Sequence, residues 1–126
     1  MAYRTPLARV RGLGSAKEGT DHFWMQRLTA ASNLVLVGFL IFLLVRLAGA
    51  DYATVKATLA RPQNAIPLLL LVLSGVVHMR LGMQTIIEDY VHAPGRRIVA
   101  TMLNAFFAAG VAITCVFAVL KLSFGG

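Results

Sequence analysis

Three long apolar stretches alternate with shorter polar ones along this chain. Leu28 to Leu47 holds about twenty mostly apolar residues, enough to cross roughly 30 Å of hydrocarbon as a helix. A second run extends from about Ala65 to Ile87 and a third from about Ile98 to Leu122. The expected fold class is therefore an all-α membrane protein with three transmembrane helices. Thr20 or Asp21 is the expected N-cap of the first span, and Phe23 and Trp24 suit the interfacial aromatic belt. Residues 48–64 read as a loop in which Tyr52, Val55 and Leu59 fall at helical spacing. That pattern predicts a short interfacial helix capped by Asp51 and closed at Arg61-Pro62. The segment "EDYVHAPGRR" reads as a second loop, broken at Pro94-Gly95. Residues 1–20 then form a basic tail and 21–126 a three-helix anchor.

Composition strengthens the membrane reading. Of 126 residues, 58% are hydrophobic and 13% charged, whereas soluble domains carry about a quarter charged residues. So small a chain cannot enclose that much apolar surface. The excess must face lipid or other subunits, which predicts a place in a heteromeric helical bundle.

The net charge of +7 would suggest nucleic acid in a soluble protein. Here the basic residues lie mainly outside the apolar runs, and no nucleic-acid-binding motif accompanies them. They report topology instead. Arg4, Arg9, Arg11, Lys17, Arg27, Arg96 and Arg97 share one side of the membrane; Arg46, Lys56, Arg61 and Lys121 share the other. The bias places the N-terminus and the 88–97 loop in the cytoplasm. The tail lacks the apolar core of a secretory signal. A bacterial inner membrane is expected, with the mitochondrial inner membrane as the alternative that the tail's charge allows.

Cys115 is the only cysteine, and it sits within an apolar run. No internal disulfide or cysteine metal site is possible, and a small packed hydrophobe is the expected role. The chain has no dinucleotide fingerprint, so it carries no dehydrogenase active site of its own.

The segment "LSGVVHMRLGMQTIIEDYVH" concentrates the candidate chemistry. His78 falls near the centre of the second span, where an unpaired polar group costs several kcal/mol. It therefore calls for a metal, a hydrogen-bonding side chain or water. Ser74, His78, Gly82, Thr85 and Asp89 form one helical stripe, with Gly75 beside it. Small neighbours leave room for a packed helix or for a flat macrocycle that the imidazole could ligate. Taken alone, the stripe favours a structural histidine. His92 lies about 21 Å further along and His22 at the start of the first span. A six-coordinate haem would thus need a histidine from another chain. Arg80 faces away from His78, with snorkelling or an ion pair as its options. Asp89 and Tyr90 end the span. Alone they read as a solvated helix end and a belt tyrosine, although a tyrosine hydroxyl can also donate to a quinone carbonyl.

The run "HMRLGMQTIIEDYVH" resembles the signature of the small hydrophobic membrane anchors of succinate dehydrogenase (respiratory complex II). His78, Gly82, Asp89 and Tyr90 stand at the family's positions, and "DHFWMQRLTA" resembles its entry to the first helix, with Arg27 at its arginine. The resemblance implies that His78 is an axial ligand of haem b, the other ligand coming from the second anchor polypeptide of the complex. It implies that Tyr90 and Asp89 serve ubiquinone, and that Arg27 and His22 lie near the haem propionates or the quinone pocket. It also implies an iron–sulfur subunit and a flavoprotein subunit that oxidises succinate. Rival readings are an anchor of fumarate reductase or another b-type cytochrome, a small transporter subunit, and a structural assembly protein.

Overall fold

A computed structural model describes residues 5–12 and 17–125; Arg4 of the basic tail lies outside them. The elements are α1 (Pro6–Val10), α2 (Lys17–Leu47), α3 (Tyr52–Ala60), α4 (Pro62–Tyr90) and α5 (Pro94–Ser123). There is no strand among the described residues. Thr20–Leu47, Pro62–Tyr90 and Pro94–Ser123 are each long and apolar enough to cross a membrane, at 28, 29 and 30 residues. These are about 42–45 Å of helix, more than the hydrocarbon core needs, so their ends reach the headgroup zone or the helices tilt. The protein is an all-α membrane protein.

Local chemistry explains where the helices start and stop. Asp51 has extended backbone, and its carboxylate accepts from the Thr54 amide at 3.3 Å, which caps α3. The Thr54 side chain and then its amide hold the Asp51 carboxyl below the usual carboxylate range. Arg61 is extended (ψ 134°), as a residue before proline should be, and ends α3. Pro62 then opens α4 in its first turn, where a missing N–H costs nothing.

Two expectations at helix ends are corrected. Thr20 and Asp21 are not caps; α2 already runs from Lys17, because the one unfavourable residue there, Gly19, costs only about 1 kcal/mol and does not stop the helix. Pro94 does not break a long loop but starts α5, so the connection is only Val91–Ala93. Arg97 fastens that turn: Nε donates to the Val91 carbonyl at 3.0 Å and Nη2 to the Glu88 carbonyl at 3.2 Å.

The spans lie in a row. α4 packs on α2 along one side and on α5 along the other, and α3 touches α4 and α5. Among the described residues, only Leu43, Ala65, Ile87 and Ala108 are buried apolar side chains, with Thr29 and Asn104 the buried polar ones. Phe106, Phe107, Ile113 and Phe117 stand exposed on α5. Such a surface suits lipid or neighbouring subunits and not water. Cys115 is half-buried and reduced.

Candidate functional site

His78 sits near the middle of α4 and turns toward α2. Its Nδ1 lies 3.2 Å from the Thr29 hydroxyl, across the helix–helix contact. One turn before it, Ser74 Oγ donates to the Thr29 carbonyl at 3.3 Å. One turn after it, a Cβ added at Gly82 would lie 3.6 Å from Gln26 Nε2. The small stripe of α4 thus makes room for α2, not for a flat macrocycle on that same face. Gly75 is different: nothing lies within 4 Å of a Cβ placed there, so the flank beside His78 is open.

The donor set can be tested against haem. His78 Nδ1 is engaged, while Nε2 has no hydrogen-bond partner among the described residues. A neutral imidazole in that state is the usual haem ligand. No cluster of three or more His, Cys, Asp or Glu occurs among the described residues. At mid-helix depth, then, His78 offers an imidazole beside an open flank. That fits a haem shared with a second polypeptide.

On α2 the contact face carries His22, Gln26, Thr29 and Asn33, spaced by four, three and four residues. His22 Nε2, Gln26 Oε1 and Asn33 Oδ1 are buried without a hydrogen-bond partner among the described residues. Each such atom costs about 1–3 kcal/mol unless something outside the chain satisfies it. Arg27 is exposed and points about 200° round the helix from Thr29. Its guanidinium lies 4.4 Å from the centroid of the Phe23 ring. His22 thus shares the face that meets His78, and Arg27 does not. Sequence reading missed Gln26, Thr29 and Asn33; their helical spacing within an apolar run was the available signal.

Tyr90 and Asp89 are exposed at the end of α4, Tyr90 at 78%. Tyr90 lines an open hollow of about 320 Å³ with Val91, His92, Ala93, Arg96 and Ala100. Asp89, adjacent in sequence, does not line it. The short turn before α5 puts Arg96 on the same hollow as Tyr90. Tyr90 is about 18 Å along the helix from His78, so the mid-membrane imidazole and the surface phenol are separate features.

This arrangement has a family. Residues 1–118 match the succinate dehydrogenase/fumarate reductase transmembrane subunit family. The chain belongs to that family. The succinate dehydrogenase hydrophobic membrane anchor subunit of Paracoccus denitrificans is 32% identical over 125 residues, 99% of this chain and 96% of that protein. The subunit of the same name from Rickettsia bellii is 35% identical over 89 residues, 71% of each chain. A succinate dehydrogenase membrane anchor subunit of Reclinomonas americana is 33% identical over 90 residues, 69% of this chain and 75% of that one. No solved structure gives a significant match. Membership in this family agrees with three helices long and apolar enough to cross a membrane.

Proposed function

We propose that this chain is the small membrane anchor of a succinate dehydrogenase in a bacterial inner membrane, holding haem b through His78 and ubiquinone through Tyr90. One observation carries the reading: at mid-helix depth an imidazole is fixed through Nδ1 and leaves Nε2 without a partner among the described residues. The relatives' names support the assignment to succinate dehydrogenase. Haem bound at His78 supplies a one-electron redox couple. A second anchor polypeptide provides the other imidazole, and the buried unpartnered His22 Nε2 and the outward-facing Arg27 serve the propionates or the quinone pocket. Tyr90 donates its hydroxyl proton in a hydrogen bond to a quinone carbonyl, while Asp89 relays protons at the membrane surface. Electrons reach this site from succinate through a flavoprotein subunit and an iron–sulfur subunit on the cytoplasmic side, where the N-terminus lies.

The family also includes fumarate reductase anchors, and an anchor running the reverse reaction is the second reading. The deciding experiment is purification by a tag on this chain. The expected product contains a flavoprotein and an iron–sulfur protein and shows a b-type haem spectrum that His78→Ala abolishes. Tyr90→Phe should lower succinate–quinone reductase activity while leaving succinate oxidation with a soluble acceptor intact. A colourless preparation without companion proteins overturns the proposal. Relative rates of succinate oxidation and fumarate reduction separate the two anchors.

A further inference from the structure

We infer that Thr29 is a positioning residue for His78, its hydroxyl accepting from Nδ1–H and so fixing the tautomer that presents an unprotonated Nε2 to iron. The inference rests on the reading of His78 as a haem ligand.

The Thr29 hydroxyl has a single proton to give. Three atoms surround Thr29 Oγ1: the Met25 carbonyl oxygen at 2.8 Å, the Gln26 carbonyl oxygen at 3.1 Å and His78 Nδ1 at 3.2 Å. The two carbonyls can only accept. The shortest contact, to Met25, has the usual O–H···O length and takes the proton. The lone pairs of Oγ1 remain, so Nδ1 must be the donor across the helix contact. A neutral imidazole has one N–H; placed at Nδ1, it leaves the ligand lone pair on Nε2. Thr29 is 6% exposed, so water does not compete for this bond. The Ser74 bond to the Thr29 carbonyl holds the same stretch of α2 in register. An acceptor behind a ligating imidazole makes the ring more basic and favours ferric iron.

The test uses the whole complex with Thr29→Val, which keeps the shape and removes the hydroxyl. The expected results are a rise in haem midpoint potential, altered ferric EPR g values and about a 10–100-fold loss of haem affinity. Thr29→Ser should restore all three. Ser74→Ala loosens the same helix contact without touching the imidazole, and it should leave the potential unchanged. Should the valine complex fail to assemble, Thr29→Ala gives the same readouts. A valine or alanine variant with wild-type potential and g values overturns the role of Thr29 while His78 remains the ligand. So does a Ser74→Ala potential that moves as far as that of the valine variant. A wild-type complex without haem, or one that keeps its haem in His78→Ala, overturns the ligand reading and this inference with it.

Discussion

The side-chain amide of Asn104 donates to the Arg80 carbonyl oxygen at 3.0 Å, tying the middle of α5 to the middle of α4. Asn104 is 9% exposed, so the bond forms away from water. Interhelical bonds of this kind contribute about 0.6 kcal/mol on average and about 1.7 at most in membrane proteins. Asn104→Leu should therefore destabilise the purified complex by an amount within that range, read as a lowered thermal midpoint. A larger drop would mean that the leucine clashes with α4, and an unchanged midpoint that the carbonyl gains nothing beyond its own helix.

Gly82 is a graded probe of the α2–α4 contact. A Cβ there meets Gln26 Nε2 at an ordinary van der Waals distance of 3.6 Å. Gly82→Ala should be tolerated, with helix propensity adding up to about 1 kcal/mol of stability. Gly82→Leu overfills the contact at a cost of about 1–3 kcal/mol and pushes Thr29 from His78. The measurement is the yield of assembled complex from each variant, with alanine near wild type and leucine well below it.

Asp51 should make α3 sensitive to acid. Its carboxyl is held low by the Thr54 side chain and amide, so the folded form binds its proton less readily than the unfolded chain does. Its stabilisation is present above the ordinary carboxylate value and is lost as pH falls through the lowered one. Hydrogen exchange at the Thr54 amide should accelerate in Asp51→Ala at neutral pH. It should accelerate in the native chain only at pH values below the carboxylate range.

Arg97 binds two carbonyls at the end of α4 with two nitrogens of one planar group. Arg97→Ala should speed hydrogen exchange over residues 88–93. The stability cost should be about 1 kcal/mol, since the site is exposed. Arg97→Lys should not restore protection, because an ammonium cannot span both oxygens in that geometry.

Much of the fold was readable because it rests on local rules. The apolar runs gave the three spans, Asp51 announced α3, and Arg61-Pro62 closed it. Proline was misjudged once: Pro94 reads equally as a stop or a first-turn residue, and only the geometry of Val91–Ala93 distinguishes them. The stripe Ser74, His78 and Gly82 was legible from spacing, but its partner was not. Periodicity along α4 says which residues share a face and nothing about which helix meets it. The polar set on α2 is equally periodic, yet its meaning depends on a contact with residues 45 and 49 positions away. The hollow at Tyr90 was hidden for the same reason, since a tight turn brings Arg96 onto its wall.

With α4 flanked on both sides and so few side chains enclosed, the three spans make a palisade that has no inside of its own. A palisade is finished only by whatever stands in front of it. Copies made in excess of their companions would keep open fences of leucine and phenylalanine in the bilayer, the kind of surface that membrane quality control removes. The cell's supply of this polypeptide should then follow the availability of its companions more closely than its own rate of synthesis.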